Sequence, residues 1–223
     1  MVDGYSTINI EVPELDAALD EYSGLLGAFA VDEASGAATL PLGNVSIRVL
    51  ENRERGAAVI AGLTLWCPEP VPMPTNLRQL SLSQQAERAV SGSGTSTGIA
   101  AVDHVVLRTS DADDCIRLFG DDLGMRLALD QQVPEWGGRM LFFRCGKLTL
   151  EVIQGKDAPE EDHFWGITYL CDDLDATLSA LDGAGVAHSG NRLGRKPGTR
   201  VATVKSHCLG IPTLLIGPDP DSA

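Results

Sequence analysis

An internal repeat constrains the fold of this 223-residue chain more than any other feature of its sequence. The segments STINIEVPELDAALDEYSGLLGAFAVD and DHVVLRTSDADDCIRLFGDDLGMRLAL follow one plan. In both, a strand-like run precedes apolar residues at helical spacing, and a Leu-Gly pair ends the helix. Ile8 corresponds to Val105 and Gly27 to Gly124, each 97 positions further on. A constant offset across a strand, a helix and its end predicts two copies of one module.

The repeat continues beyond the helix. LPLGNVSIRVLEN matches FRCGKLTLEVIQG with Gly43 against Gly146, and AGLTLWCPEP matches WGITYLCDDL with Gly62 against Gly166. Each module therefore reads as a strand, a helix and three strands joined by glycine-containing turns, which is a βαβββ order. A further strand and helix pattern follows Gly166, so the sequence predicts two consecutive complete modules in its C-terminal half.

The repeat divides the chain into three parts. We predict a degenerate N-terminal module plus one strand in residues 1–70, a linker with a short helix in residues 71–100, and a complete two-module domain in residues 101–218. Prolines in PEPVPMPTN disfavour regular structure, and the predicted helix lies near residues 76–90. The glycine and serine of SGSGTSTG predict a flexible connection.

Charge and cysteine content exclude several classes of function. The chain has 31 acidic and 17 basic residues and a formal charge of −14, so nucleic acid and anionic membrane surfaces would be repelled. Five cysteines form no C-x-x-C pair, and their odd number argues against a disulfide framework. No window is apolar enough for a membrane span. We therefore expect a cytoplasmic protein that acts on neither nucleic acid nor membrane.

The segments VDHVVLRTSDADDCIRLFGDDLGMRL, GKLTLEVIQG and GITYLCDDLDATLSALDGAGV together resemble the vicinal oxygen chelate superfamily. This superfamily includes glyoxalase I, bleomycin-resistance proteins and extradiol dioxygenases. The resemblance implies an α+β fold in which βαβββ modules pair into an open barrel of curved sheet around a small-molecule cavity. It also implies that metal ligands come from the first and last strand of each module.

The resemblance implies four ligand positions, at His104, Glu151, Gly166 and about Leu214. Only His104 and Glu151 can bind a metal, so the implied site is incomplete. One divalent metal (Fe, Mn or Zn) and no metal at all are equally open readings. Without a metal, Glu151 would orient His104 and raise its basicity as an acid-base pair.

Three sources could complete a metal site. His163 lies three positions before Gly166, so strand alternation points it to the opposite face unless the strand bulges. His207 stands in the turn before the final strand and could reach the rim of the cavity. A neighbouring subunit could supply a ligand, and the missing module favours a homodimer.

Strand alternation predicts which other side chains share the face of His104 and Glu151. A mostly apolar surface with a few polar groups suits a small organic molecule. The loop PEWGGRM could form a lid through Trp136 and Arg139, and the basic run GRKPGTR could attract an anionic substrate. The predicted pocket residues are Val106, Thr149, Phe164, Thr168 and Leu214, and the basic side chains are Arg192, Arg195, Lys196 and Arg200.

Two functions are consistent with these features. The first is a small-molecule enzyme of the glyoxalase or dioxygenase kind, a lyase, isomerase or dioxygenase, in which His104 and Glu151 carry the chemistry. The second is a metal-free protein that binds a drug or metabolite, as bleomycin-resistance proteins do. A protein of the second kind needs only the shape of its cavity, so the missing metal ligands would be no handicap.

Overall fold

A computed structural model describes residues 2–32, 34–88, 92–135 and 137–222, and it confirms the α+β class with two open, curved sheets. The N-terminal half contains β1 (Gly4–Val12), α1 (Leu15–Leu26), β2 (Ala30–Asp32), β3 (Ala37–Pro41), β4 (Ser46–Glu51), β5 (Val59–Trp66) and β6 (Ser81–Gln85). The C-terminal half contains β7 (Ile99–Arg108), α2 (Ala112–Cys115) with a π-helical continuation (Ile116–Asp122), β8 (Arg126–Val133), β9 (Gly138–Cys145), β10 (Leu148–Gln154), β11 (His163–Cys171), α3 (Leu174–Gly183), β12 (Arg192–Leu193), β13 (Thr199–Val204) and β14 (Thr213–Pro218).

The pairing of the strands confirms the repeat. The six-stranded sheet has the order β2-β3-β4-β1-β5-β6, and the eight-stranded sheet has the order β12-β13-β14-β11-β7-β10-β9-β8. In the first, β1 pairs in parallel with β4 and antiparallel with β5; in the second, β7 pairs in the same way with β10 and β11. Thr7 faces Thr64 as His104 faces Thr168. The sequence offsets therefore correspond to equivalent positions in the two sheets.

The helices lie where the apolar spacing predicted them. Gly27 and Gly124 end the first helix of each half with φ of 84° and 70°, in the left-handed region that glycine enters without strain. The side chain of Asp173 accepts a hydrogen bond from Ala176 N at 2.9 Å and caps α3. None of the helices in the four described ranges is long and apolar enough to cross a membrane.

Each sheet packs one face against the core, and we call the opposite face the open face, although several central residues of that face in the eight-stranded sheet are only 2–8% exposed. The buried faces and the helices form one shared hydrophobic core that joins the two halves. At its centre the hydroxyl groups of Tyr22 on α1 and Tyr169 on β11 are 2.6 Å apart, and both side chains are fully buried. The carboxamide of Asn44 donates to Val102 O at 2.7 Å and accepts from Val102 N at 3.0 Å. The halves are thus joined by packing and by specific polar contacts.

The helix predicted near residues 76–90 is wrong, because this region contains β6. Leu82 is buried between the exposed residues Ser81 and Ser83, which is the alternation of a strand. β6 pairs in parallel with the edge of β5, as β14 pairs with β11. The six-stranded sheet therefore contains both the first strand, β5, and the last strand, β6, of its second module. Residues 89–90 lie outside the described ranges.

The described part of the predicted flexible linker, residues 92–98, makes specific contacts with the N-terminal half. Gly92 N donates to Leu42 O at 3.1 Å. Thr97 is buried, and its hydroxyl donates to Leu25 O at 2.7 Å at the end of α1. These bonds hold the described segment against the core, so its composition did not predict its structure. The division at residues 70 and 100 stays a prediction.

Candidate active site on the eight-stranded sheet

An irregularity in β7 brings Asp103 and His104 to the candidate site together. His104 faces Thr168 on β11, and the next pair along the strands is Val102 with Tyr169. Asp103 is therefore an extra residue in β7 that has no partner on β11. Such a bulge lets two consecutive side chains lie on the same side of a sheet, which regular alternation forbids.

The imidazole of His104 lies between two carboxylates. Its Nδ1 atom is 2.8 Å from Asp103 Oδ2, and its Nε2 atom is 3.1 Å from Glu151 Oε2 on β10. The hydroxyl of Thr168 is 2.8 Å from the same Nε2 atom. The His104 and Glu151 side chains are only 16% and 11% exposed, so the ring is fixed yet accessible from the open face.

The environment of Asp103 favours its charged form. The hydrogen bond with the His104 ring lowers the pKa of Asp103, and the positive charges of Lys196 and Arg144 act in the same direction. Asp103 is therefore ionised at neutral pH and accepts the Nδ1 proton of His104. This bond fixes the orientation of the ring and leaves Nε2 directed at Glu151 and Thr168.

The environment of Glu151 favours its neutral form. Burial raises the pKa of Glu151 because it penalises the charged carboxylate, and the nearby Asp103 adds to the rise. His104 and Arg195 oppose it. Two carboxyl groups on one imidazole thus differ in their tendency to hold a proton, which is the arrangement that separates an orienting group from a proton carrier.

Sequence reasoning missed Asp103 as a member of this group. The family resemblance assigned the pair His104 and Glu151, and no role was predicted for Asp103. The signal was present, because a carboxylate directly before a histidine interrupts an otherwise apolar strand. What the sequence did not show is the bulge that turns both side chains to one side.

The structure brings four of the five predicted pocket residues to the open face. Thr168 contacts His104 directly, and Thr149 faces His104 across β10 and β7. Val106 faces Glu151, and Leu214 faces Thr168 from β14.

The fifth predicted pocket residue, Phe164, lies in the core instead. It faces Leu107, which is buried there, while Gly166 faces Val106 on the open side. Trp165 is the extra residue of this second bulge, and the bulge turns Phe164 to the buried face. Gly166 was the signal for it, since an isolated glycine in a strand often marks a bulge.

Neither predicted alternative ligand reaches His104. The same bulge places His163 opposite Arg108, four residues along β7 from His104 and thus about 13 Å away. His163 is exposed, and its Nδ1 atom is 3.1 Å from Glu161 O. His207 packs against α1 at Gly24, on the buried side of the sheet, and its Nδ1 atom is 2.8 Å from Ser206 Oγ.

The donor atoms of this site do not fit a resident metal ion. His104 and Glu151 supply two ligands, and the other two implied positions carry Gly166 and Leu214. A Cβ atom on Gly166 would lie 2.8 Å from Pro212 O, so the backbone of the neighbouring strand leaves no room for a side chain there. Within the described ranges, no group of three His, Cys, Asp or Glu side chains is placed to hold a metal. Tetrahedral or octahedral sites normally need three or more protein ligands.

The predicted rim residues separate into paired and free cations. Arg139 is bound by Asp130 at 2.7 Å and by Asp113 at 2.8 Å. Arg200 is similarly bound by Asp219 and Asp221. Arg192 is exposed on β12, and Arg195 and Lys196 act electrostatically on Glu151 and Asp103. Trp136, the other predicted lid residue, lies outside the described ranges.

Two cavities of the chain lie away from the candidate site. One of about 190 Å³ lies at the junction of the halves, beside Tyr5, Trp66 and Lys147. The other is a groove of about 710 Å³ between residues 71–76 and residues 121–124. His104 and Glu151 line neither of these two cavities.

Comparison with known proteins gives a family match for the C-terminal half and structures of similar fold. The model of the Glyoxalase/Bleomycin resistance protein/Dioxygenase superfamily matches residues 103–203, and no curated protein sequence matches the chain. A mutant of 4-hydroxymandelate synthase from Streptomyces coelicolor has a TM-score of 0.73 at 15% identity, covering 98% of this chain and 93% of that one. Methylmalonyl-CoA epimerase from Mycobacterium tuberculosis has a TM-score of 0.48 at 19% identity, covering 56% of this chain and 93% of that one. Residues 103–203, less than half of the chain, thus match the superfamily that the sequence motifs resemble, the vicinal oxygen chelate superfamily.

Proposed function

We propose that the protein is a small-molecule enzyme that transfers a proton to and from an organic substrate through His104 and Glu151. One observation carries the proposal: a single imidazole lies between two carboxyl groups whose pKa values shift in opposite directions. Proton transfer by a positioned side chain contributes typically about 10²- to 10⁴-fold to a rate. The partner is a small organic molecule.

The geometry assigns a role to each group. Asp103 accepts the Nδ1 proton of His104 and holds the ring in place. Glu151 and Nε2 share a proton across 3.1 Å, so either end of the pair can hold it. In the ionised form, Glu151 removes a proton from a carbon next to a carbonyl group of the substrate. His104, protonated on both nitrogens, then stabilises the charge that develops nearby.

This mechanism favours an isomerase or lyase over a dioxygenase. Isomerisation and elimination at such a carbon need a base and an acid, and Glu151 and His104 supply both. The dioxygenase reading draws on metal ligands at Gly166 and Leu214, where no donor side chain stands. No step of the proposed reaction passes through a metal.

The test is the exchange of substrate hydrogen with solvent, which detects proton removal before the full reaction is known. Protein dialysed against a chelator is incubated in D₂O with a panel of 2-oxo acids, 2-hydroxy ketones and acyl thioesters, and loss of the α-hydrogen signal is followed by NMR. We expect exchange by the wild type with at least one class. Glu151→Gln and His104→Ala should lower its rate by about 100-fold or more.

His163→Ala is the matched control, because it removes an exposed histidine about 13 Å away along the sheet. It should exchange at the wild-type rate. Equal rates for Glu151→Gln and the wild type would contradict the proposal. Exchange that appears only after a divalent metal is added would favour the metalloenzyme reading instead.

A metal-free binding protein is the second candidate, and the absence of donors at Gly166 and Leu214 favours it equally. Binding without chemistry needs the open face but not the proton pair. This candidate predicts that ligands bind with unchanged affinity to Glu151→Gln, and that no compound in the panel exchanges its hydrogen.

We propose in addition that the chain forms a homodimer. β8 is an eight-residue edge strand at one end of the eight-stranded sheet, and most of its residues are exposed. Long exposed edge strands are commonly covered by a partner. Light scattering of the purified protein should give twice the chain mass of 23.6 kDa.

A cytoplasmic location is the final part of the proposal. All five cysteines are free and buried, and burial raises the pKa of the Cys115 thiol to about 12. Thiols of this kind persist most readily in a reducing compartment. Localisation of a tagged full-length chain in its own cell would test this.

A further inference from the structure

The strand registers arrange the open face of the eight-stranded sheet in rows that cross the strands. Across β8, β9, β10 and β7, the row at His104 runs Arg126, Arg144, Thr149, His104. The adjacent row runs Leu129, Phe142, Glu151, Val106, and then reaches the bulge at Trp165 and Gly166. One row is therefore cationic at its end, and the next is apolar except for Glu151.

The cationic row is extended by the loop between β12 and β13. This loop carries Arg195 and Lys196, and it lies toward the same end of β7 as Asp103, because β13 runs parallel to β7. Lys196 acts electrostatically on Asp103, and Arg195 acts on Glu151. We call these four cations the cationic end: Arg126, Arg144, Arg195 and Lys196.

The cationic end lies within electrostatic range of Asp103 and Glu151 through three of its four cations. Within the described ranges, however, none of its four side chains forms a direct ion pair, whereas Arg139 and Arg200, also on this half, each bind two aspartates. The chain as a whole carries a formal charge of −14, so an anion is repelled by most of the surface and attracted here. Guanidinium groups match the geometry of carboxylates with two parallel hydrogen bonds.

The adjacent row provides an apolar surface. We call Leu129, Phe142 and Trp165 the apolar strip; Val106, in the same row, is buried at 6% exposure. Trp165 is 43% exposed and Leu129 is 47% exposed, which is unusual for side chains of this size. Trp165 is the extra residue of the bulge, and the neighbouring Gly166 has no side chain that could cover the indole. Flat apolar groups pack favourably on such a ring.

We infer that the open face binds a small organic carboxylate, with its anionic group at the cationic end and its apolar body on the apolar strip. His104 and Glu151 lie where the two surfaces meet, so the part of the ligand between its carboxylate and its apolar body would lie against the proton pair. This inference rests on the proposed function, since it names the substrate class of the same site.

The experiment measures binding by titration calorimetry and is independent of turnover. The probes are 3-phenylpropionate, its uncharged counterpart 3-phenylpropanamide, and inorganic phosphate. We expect the carboxylate to bind about tenfold more tightly than the amide, because a charge-assisted hydrogen bond is stronger than a neutral one. Phosphate lacks an apolar body and should bind more weakly than 3-phenylpropionate.

Two variants and one control locate the binding site. Arg144→Gln should weaken binding of 3-phenylpropionate about tenfold. Trp165→Ala should weaken it by a similar factor and leave phosphate binding unchanged. Arg53→Gln removes the same charge from an exposed side chain at the end of β4, and it should bind as the wild type does.

Each result decides the inference. Equal affinity for the carboxylate and the amide overturns it, as does equal binding by Arg144→Gln and Arg53→Gln, or no binding of 3-phenylpropionate at millimolar concentration. Glu151→Gln separates the two proposals. If Glu151→Gln binds 3-phenylpropionate but neither the wild type nor any variant exchanges substrate hydrogen with solvent, the inferred binding site is confirmed and the proposed chemistry is wrong.

Discussion

The open faces of the two sheets present different chemistry on equivalent backbones. Thr7 stands in the six-stranded sheet where His104 stands in the eight-stranded sheet, and Arg48 stands where Glu151 stands. Thr64 and Thr168 are the same residue type at the same position. The N-terminal face therefore keeps a hydroxyl of the site and lacks both of its proton-carrying groups.

The bulges are also repeated, and this separates what the fold requires from what the site requires. In the six-stranded sheet Ser6 is the extra residue of β1, equivalent to Asp103 in β7. Ser6 is fully buried and accepts a hydrogen bond from Gln85 at 2.6 Å. The bulge is thus a feature of both modules, but only in the eight-stranded sheet does it place a carboxylate beside a histidine. The buried faces maintain the fold in both halves, while the proposed chemistry depends on a few residues of one open face.

The largest predicted effect is a loss of stability caused by a substitution at the contact between the two halves. Arg78, in the segment before β6, contacts Asp162 at 2.5 Å and Asp114 at 2.5 Å. The Asp162 side chain is 1% exposed, so losing its partner leaves a buried charge uncompensated. Arg78→Met should lower the free energy of unfolding by about 3–5 kcal/mol, measured by urea denaturation.

Arg53→Met is the control for this prediction. Its ion pair with Glu51 is exposed, with the arginine side chain at 84% exposure, and such pairs contribute about 0–1 kcal/mol. Similar losses for both arginine variants would show that the buried pair does not hold the shortened module in place.

The second prediction compares the two glycines of the β5 and β11 bulges. A Cβ atom on Gly62 would lie 2.3 Å from Ser81 O, and one on Gly166 would lie 2.8 Å from Pro212 O. Gly62→Ala should therefore cost about 3 kcal/mol of unfolding free energy and Gly166→Ala about 1 kcal/mol. Gly56→Ala, at a site with open space, should cost less than about 0.5 kcal/mol. The reverse order for the two bulge glycines would contradict the ranking expected from these two distances.

The sequence predicted the fold well because the repeat carries register as well as element type. The offsets between matching residues pair Thr7 with His104 and Arg48 with Glu151, and the strand registers of the two sheets do the same. Two kinds of feature could not be predicted from the sequence, and the first is the β-bulge. Bulges change which face a side chain occupies without changing the apolar pattern, so Phe164 was misplaced and Asp103 was overlooked.

Long-range contacts were the other feature that the sequence did not reveal. Arg78 is separated from Asp162 by 84 residues, and no local pattern links a lone arginine in a proline-rich segment to a buried aspartate. β6 was missed because it pairs with a strand edge that the sequence did not show to be free. The cations near the site were foreseen as a group, but which of them are neutralised by aspartates depends on the tertiary structure.

The third prediction uses pH to contrast the two carboxyl groups. Asp103 has a pKa below its ordinary 3.8, so it stabilises the fold above that pH and loses this contribution as the pH falls through its folded pKa. Asp103→Asn should thus be about 1 kcal/mol less stable than the wild type at pH 7, with the pH-dependent part of this difference lost in acid.

Glu151 should behave in the opposite sense. Its folded pKa is raised above the ordinary 4.5, so its contribution is greatest below that pH and is lost as the pH rises through the folded pKa. Glu151→Gln should gain stability relative to the wild type as the pH rises from 4 to 8. Arg48→Gln, at the equivalent position, should show a constant difference because arginine does not titrate in this range. Parallel curves for Asp103→Asn and Glu151→Gln would contradict the opposed shifts.

The smallest predicted effect tests a threonine that both open faces share. The Thr168 hydroxyl is 2.8 Å from His104 Nε2, and Thr168 is 2% exposed. The Thr64 hydroxyl accepts hydrogen bonds from Asn9 at 3.2 Å and Ser83 at 3.0 Å, on a face that water reaches. Valine keeps the shape of threonine and removes the hydroxyl. Thr168→Val should lower the rate of substrate hydrogen exchange about threefold to tenfold, because the His104 ring is held less firmly. It should also lower the free energy of unfolding by about 1 kcal/mol.

Thr64→Val should leave the exchange rate unchanged and cost less than about 0.5 kcal/mol, since water can replace the lost acceptor. NMR exchange rates and urea denaturation of the two variants give both comparisons on one pair of proteins. If the two valine variants behaved alike in exchange, the threonine would be a feature of the module rather than of the site. The Thr168 hydroxyl would then have no part in the chemistry of His104, and the orientation of the His104 ring would depend on Asp103 alone.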